Sequence, residues 1–274
     1  VTDAEPRGEP AAPRTLVDRL FSAIPLASIY VWLGIVYAWE ATRLKSPWLF
    51  TDELELTQYA RSIWETGKPA RRGVAHSPNS LYAYLLAPAW ALHDVASGYA
   101  AVRYIGVFTM TLSIVPAYFL ARTFLPRRTS LLAAAATGAV PALAYATIIV
   151  PEPLAYPYAV LCFLAFARVL ATRSRWWTAV AVVLSIVAPM IRGQLAVIPA
   201  VLILGAVIYW WGTERARAWR SRWSVWDWLG AVVLGIGAIV LTNAAIGGHY
   251  HEWLVATGYF RGRVLELGLW AGGA

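Results

Sequence analysis

Long apolar runs recur along this chain, and the runs themselves contain almost no charged side chains. A helix needs about 20 mostly apolar residues to cross the hydrocarbon core of a bilayer. Soluble domains are about 25% charged and about 45–50% apolar, whereas this chain is 14% charged and 59% hydrophobic. The sequence therefore predicts an all-α, polytopic membrane helix bundle and excludes a soluble enzyme. The predicted spans lie near residues 22–41, 104–121, 131–150, 155–171, 176–191, 194–211 and 227–246.

Arginine-rich loops orient these predicted spans, because cytoplasmic loops of membrane proteins carry an excess of Lys and Arg. Arginines cluster at 122–128, 173–175 and 215–222. These clusters share one side with the arginines of the N-terminal tail only if segment 80–97 does not cross the membrane. We therefore expect 80–97 to belong to a large first outer loop, residues 42–103, that contains interfacial helices. The alternative is that 80–97 forms an eighth span.

The chain is accordingly divided into three parts. Residues 1–21 are predicted to be a polar cytoplasmic tail without a signal-peptide pattern, and residues 22–246 to be the transmembrane module. Residues 247–274 are expected to begin an outer segment that is truncated. The net charge of +8 falls in short loops instead of on a soluble face, which argues against nucleic acid as a partner. The expected location is the cell (cytoplasmic) membrane, as a multi-pass protein with a cytoplasmic N-terminus.

A short amphipathic helix with paired acidic residues is predicted just after the first span. Asp52 and Glu53 open this segment, and its apolar residues recur at helical spacing until Gly67. One interpretation is structural, with Asp52 as the helix N-cap and Glu55 as its capping-box partner. The other is functional, because ionisable groups at the mouth of a membrane bundle are costly and mark active sites. The sequence leaves both interpretations open.

Four short motifs then follow one another within the first outer loop. They are Asp52-Glu53, Gly67, the stretch His76-Ser77-Pro78-Asn79-Ser80-Leu81-Tyr82, and Arg103-Tyr104. In this order the motifs resemble the C-type glycosyltransferase superfamily, in particular its protein-mannosyltransferase and aminoarabinose-transferase-like branch, over roughly residues 20–200. The chain departs from that pattern at Asn79, where a second proline is usual, and at Glu55, where some relatives have a basic residue.

This resemblance implies an enzyme that moves a sugar from a polyprenyl-phosphate donor to an acceptor hydroxyl at the outer membrane face, with inversion. It also implies that the acid of the second outer loop, here Glu152, faces the first motif across the catalytic cavity. The alternative for Glu152 is a carboxylate that only stabilises a helix start. Asp52 is the expected general base. Glu53 and Glu152 would position the acceptor, and Asp52 and Glu152 are the candidate ligands for a divalent cation such as Mg²⁺, Mn²⁺ or Ca²⁺.

The leaving group of such a reaction is a phosphate, so cationic hydrogen-bond donors should lie where it departs. Arg103 and Arg192 are the candidates, and His76 is a weaker one. Tyr82 from the motif completes the expected substrate-binding residues. Arg192 has the alternative interpretation of an arginine that snorkels to the lipid headgroups.

Several functions stay open at the level of sequence. The acceptor could be a lipid, a glycan or a protein, in a pathway of cell-envelope glycan biosynthesis. A membrane transporter or lipid flippase is a rival, but it would place charges at mid-membrane depth, whereas these spans are nearly free of charge. A non-catalytic membrane subunit is a third possibility.

The orientation can be checked with single-cysteine variants in a Cys162→Ala background, since Cys162 is the only cysteine. In intact cells we expect an impermeant maleimide to label Ser77→Cys, in the predicted outer loop. Ser221→Cys, in an arginine-rich cytoplasmic loop, should react only after permeabilisation. Labelling of both positions from one side would contradict the predicted topology.

Overall fold

The structure, a computed structural model, describes residues 16–43, 51–76, 78, 80–92, 94–140 and 147–212, with isolated positions between 224 and 237. Within this part of the chain almost all secondary structure is helical. The first helices are α1 (Leu16–Arg43), α2 (Thr51–Thr66), α3 (Tyr82–Leu86) and α4 (Val95–Thr111). They are followed by α5 (Ile114–Ala121), α6 (Arg127–Gly138), α7 (Glu152–Thr172), α8 (Arg175–Ile191) and α9 (Val197–Gly212). Short 3₁₀ helices cover Ala87–Ala91 and Gly193–Ala196, and strands β1 (Ala70–Arg71) and β2 (Val74–Ala75) form one hairpin.

Three helical stretches are long and apolar enough to cross a membrane. They are Ile24–Arg43 of α1, Val95–Ala121 formed by α4 and α5, and Glu152–Thr172, which is α7. Two shorter apolar stretches are Arg175–Ile191 and Gly193–Tyr209. The expectation of a helical chain with apolar, membrane-compatible helices is therefore confirmed.

The second long helix begins earlier than predicted, at Val95 instead of near residue 104. The Asp94 carboxylate accepts a hydrogen bond from the Ser97 backbone N–H at 2.9 Å and so caps the new helix. Arg103 consequently lies inside α4, about 12 Å from its first residue along the helix axis. Arg103 therefore does not stand at the start of the helix, although the predicted span began near residue 104.

Neither segment 80–97 nor the predicted span at 131–150 forms one continuous helix. The first is divided among α3, the 3₁₀ helix Ala87–Ala91 and the start of α4, and neither of the first two is long enough to cross a bilayer. In the second, α6 ends at Gly138, and Thr147–Val150 is not α-helical. A glycine followed by Pro141 is a usual place for a helix to stop. The predicted span at 227–246 lies outside the described residues, apart from isolated positions.

Helices α7 and α8 run antiparallel and pack along each other, and α4 packs between α1 and α7. Near the end of α6 three helices, α1, α5 and α6, approach one another closely, because Gly138 has no side chain. A Cβ atom there would come within 2.7 Å of side-chain atoms of Leu33 and Ile114. The Tyr37 hydroxyl donates a hydrogen bond to the Gly138 carbonyl at 2.8 Å. This contact joins α1, α5 and α6.

Helix α2 buries one face against α3, the 3₁₀ helix Ala87–Ala91 and α4. Its Leu56, Tyr59 and Ala60 belong to a core cluster that also contains Val102 of α4 and Ile149. Gly67 ends the helix with φ of 72°, and its N–H donates to the Ile63 carbonyl at 2.9 Å. The apolar spacing that predicted this helix is therefore confirmed, and so is its end at Gly67.

Candidate functional site

The segment that follows the hairpin, residues 80–81, is hydrogen-bonded to the end of α8. The Leu81 N–H donates to the Met190 carbonyl at 2.9 Å, and the buried Ser80 hydroxyl donates to the Ile191 carbonyl. The last carbonyls of a helix have no partner within that helix, so these bonds satisfy groups that would otherwise need water. As a result, residues 80–82 lie next to the chain that continues into Arg192.

Glu53 is a buried carboxylate at the beginning of α2, with a side chain only 1% exposed. Burial raises its pKa above the ordinary value of 4.5, because a charged carboxylate loses its hydration. Two weaker effects oppose burial, a hydrogen bond from the Ile149 N–H and the nearby positive charge of Arg103. The Oε2 atom of Glu53 is buried and has no hydrogen-bond partner in the described part of the chain. Burial therefore favours the neutral form of this carboxylate more than water would.

Glu152 forms an ion pair with Arg192 at the point where α7 begins and α8 ends. The two side chains are partly exposed, at 36% for Glu152 and 27% for Arg192. The Arg192 Nε also donates a hydrogen bond to Gln194 Oε1, which fixes the guanidinium from a second side. Glu152 lies in the first turn of α7, where the helix dipole favours a negative charge.

The two acidic groups belong to one neighbourhood because the loop before α7 connects them. The Ile149 N–H contacts Glu53, and Glu152 follows only three residues later. Three residues span at most about 11 Å even when the chain is fully extended. The four charged residues Glu53, Arg103, Glu152 and Arg192 thus lie within reach of one short loop, residues 149–152.

The predicted general base, Asp52, lies in the first turn of α2 next to Glu53, and its side chain is outside the described residues. The prediction that Asp52 and Glu152 line one cavity therefore stays a prediction. The capping-box interpretation of this turn is not observed. The helix already begins at Thr51, and the Glu55 carboxylate forms an ion pair with Arg71 of the hairpin. A partner with full charge holds Glu55 away from the backbone of its own helix.

The two other predicted substrate-binding residues, His76 and Tyr82, pack against aromatic or apolar side chains. His76 is exposed and packs edge-on against Tyr59, with 6.2 Å between ring centroids. Tyr82 is 1% exposed inside the core cluster, and burial raises the pKa of its hydroxyl. Tyr82 thus has a packing role in this structure, and its expected contact with substrate stays a prediction.

Sequence reasoning overlooked two groups of this neighbourhood, the Ile149 N–H and Tyr99. Tyr99 lies one helical turn before Arg103, and its hydroxyl interacts electrostatically with Arg103 and Glu53. Its spacing of four residues from Arg103 was a usable signal. The hydrogen bond from the Ile149 N–H to Glu53 could not be predicted from the sequence, since nearly every residue type carries a backbone N–H.

The described residues contain no group of three or more His, Cys, Asp and Glu side chains that could hold a metal ion. One of the two candidate ligands, Glu152, is paired with Arg192. The side chain of the other, Asp52, lies outside the described residues. The divalent cation expected from the resemblance therefore stays a prediction.

Comparisons of the chain with protein-family models, with curated proteins and with solved structures find no match. The case for a function consequently rests on the geometry of the site and on the sequence motifs.

Glu53→Gln should leave the melting temperature in detergent at pH 7 unchanged or raise it, because the neutral amide avoids the cost of burying a charge. The folded-state pKa of Glu53 is raised, so its contribution to stability is greatest at low pH and is lost as the pH rises through 4.5 to the folded value. Wild type should therefore gain stability over the variant as the pH falls toward 4.5.

Glu65→Gln is the matched control, since Glu65 lies on the same helix with a half-exposed ion pair to Arg61 and should change little. A Glu53→Gln variant that is markedly less stable at pH 7, with no dependence on pH, would contradict the burial argument.

Proposed function

We propose that the protein is a multi-pass glycosyltransferase of the cell membrane, with a cytoplasmic N-terminus. It moves a sugar from a polyprenyl-phosphate donor to an acceptor hydroxyl at the outer face and inverts the anomeric carbon. One observation carries the proposal. Glu152 forms an ion pair with Arg192, and the loop that leads into Glu152 also contacts Glu53, a buried carboxylate near the charge of Arg103.

The apolar helices account for the lipid part of the donor. The three long stretches would cross the bilayer, and the shorter α8 and α9, about 24–26 Å long, would complete the polytopic bundle. Exposed apolar side chains such as Ile203, Leu204 and Ile208 of α9 offer a surface for a polyprenyl tail. The donor's phosphate would then lie at the membrane surface, because its charge cannot enter the hydrocarbon core.

Arg192 is the best candidate to receive that phosphate. It follows the last residue of an apolar helix, and its guanidinium is held by Glu152 and Gln194 before any ligand arrives. Such preorganisation lowers the entropic cost of binding, and a planar guanidinium bonds phosphate oxygens in pairs. Arg103 lies near enough to Glu53 to influence its charge, and it would add positive potential more than direct contact.

The transfer step needs a base at the acceptor. The acceptor hydroxyl oxygen attacks the anomeric carbon as its proton passes to the Asp52 carboxylate. The bond from that carbon to the phosphate oxygen breaks on the opposite face, and the departing phosphate keeps the electron pair beside Arg192. Glu53 holds the start of α2 against the Ile149 loop and so positions Asp52. One displacement of this kind inverts the anomeric carbon.

Asp52→Asn should lower transfer about 10²–10⁴-fold, the usual contribution of a general base, without changing the melting temperature. Asparagine is as good as aspartate at a helix start, so a purely structural Asp52 would tolerate this change. Glu152→Gln should reduce transfer less, because it keeps a hydrogen bond to Arg192. The assay uses radiolabelled polyprenyl-phosphate hexoses and pentoses with membranes as acceptor source. A stable Asp52→Asn enzyme with full activity would eliminate Asp52 as the base.

Arg192→Ala should weaken the binding of polyprenyl phosphate about 10- to 100-fold, as expected for the loss of a hydrogen bond to a charged group. The affinity of Arg192→Lys for polyprenyl phosphate should lie between those of wild type and Arg192→Ala, since lysine keeps the charge without the planar guanidinium. The control is Arg72→Ala, on the exposed turn of the hairpin, which should bind normally. Equal affinity of Arg192→Ala and wild type would reject the phosphate assignment.

A further inference from the structure

A groove with a volume of about 390 Å³ lies beside the second half of α2, distinct from the cluster of four charged residues. This volume falls within the roughly 300–1,000 Å³ range of small-molecule sites. The groove is bounded by α2, by the 3₁₀ helix Ala87–Ala91 and by the first residue of α4. Its principal lining side chains are Arg61, Trp64, Glu65, Trp90, Leu92 and Val95.

One wall of the groove is a fixed aromatic ring. The Trp90 indole lies against Gly98 of α4, where a Cβ atom would approach the ring to 3.0 Å. It also meets the Tyr99 ring edge-on, with 6.3 Å between centroids. The Arg61 guanidinium faces the ring from the groove, 5.8 Å from its centroid. Trp90 is thus held in place before a ligand binds, while the Trp64 indole is 50% exposed.

The polar part of the groove is electrically neutral. Arg61 Nε and Glu65 Oε1 form an ion pair at 2.7 Å, one helical turn apart, and both side chains are about half exposed. Together they offer hydrogen-bond donors and acceptors beside the indoles. The indole Nε1 of Trp90 is buried and has no hydrogen-bond partner in the described part of the chain.

This combination selects one ligand chemistry. Because Arg61 and Glu65 neutralise each other and are half exposed, they give a charged ligand little net attraction. A hydrocarbon chain would strip water from the ion pair without replacing its hydrogen bonds. A neutral ring with an apolar C–H face and several hydroxyl groups fits both the aromatic and the polar part of the groove. Its C–H face stacks on an indole, and its hydroxyls form hydrogen bonds with Arg61 and Glu65. A pyranose or furanose sugar has this chemistry.

The position of the groove indicates which sugar it binds. Trp64 follows Glu53 by eleven residues, which is about 16 Å along α2 and close to three whole turns. Both side chains therefore point to about the same side of the helix. A sugar in the groove cannot be the one that reacts near Glu53 and Asp52, but it can belong to the same chain of sugars.

We propose that this groove is an acceptor subsite that binds a neutral sugar residue of a glycan. The acceptor is then an oligosaccharide or polysaccharide, not a protein or a single lipid headgroup. The assignment of the sugar as acceptor rests on the proposed transferase function, whereas sugar binding in the groove does not.

Binding of neutral tetrasaccharides of glucose, mannose and arabinose to the full chain in lipid nanodiscs tests the proposal, by calorimetry and saturation-transfer NMR. We expect at least one series to bind. Trp64→Ala should weaken that binding at least tenfold, equal to about 1.4 kcal/mol, and Trp64→Phe should weaken it less. The matched control is Trp176→Ala, at an indole that is 71% exposed on α8, and it should bind as wild type does.

Three results would overturn the proposal. They are the absence of binding by all three series, equal weakening in Trp64→Ala and Trp176→Ala, and binding of a Thr-rich peptide in place of the saccharides. A lipid occupant is examined with a fluorophore at Leu92→Cys in the Cys162→Ala background. Quenching of this fluorophore by a doxyl-labelled lipid would mean that the bilayer covers the groove, which also overturns it.

The failures of the two proposals can be told apart. Asp52→Asn should still bind the tetrasaccharide, so a chain that binds saccharide in a Trp64-dependent manner but never transfers sugar would reject the transferase and retain the groove. Conversely, a transferase whose Trp64→Ala variant keeps both its saccharide affinity and its KM for the glycan would reject the groove alone.

Discussion

The burial of Glu53 is the constraint on which the arrangement of the charged residues depends. A carboxylate with 1% exposure must find partners from within the protein. It takes them from the Ile149 loop and from Arg103 of α4. Those contacts fix the start of α2 against two distant parts of the chain, and the loop in turn brings Glu152 to the end of α8. A neutral residue of the same size would pack there but would impose no such requirement.

Much of the fold follows from the sequence, because hydrophobic length and helical spacing are local properties. The apolar runs, the buried face of α2 and its end at Gly67 were all predictable from residue order. The start of α4 was misplaced because the capping bond of Asp94 to Ser97 was overlooked in an otherwise apolar stretch. The end of α6 was missed because a span was assumed to continue past Gly138 toward a proline.

The candidate site was predictable only in part. Acidic residues outside the spans drew attention to Glu53 and Glu152, and loop arginines to Arg192. Their pairing depends on antiparallel packing of α7 and α8 and on a backbone N–H at Ile149, and neither has a signature in residue types. Tyr82 is a different case. A resemblance to a motif suggested a ligand contact, which stays a prediction, and the structure adds a packing role in the core cluster that the motif did not indicate.

Gly138 has a consequence for how the helices respond to the lipid around them. Helices adjust to bilayers of different thickness chiefly by changing their tilt. At Gly138 the backbone of α6 lies against Leu33 of α1 and Ile114 of α5, and the Tyr37 hydroxyl bridges α1 to the same residue. With no side chain between them to change rotamer, α1 and α6 have little freedom to slide past one another. A change in the tilt of α1 would therefore carry the end of α6 with it.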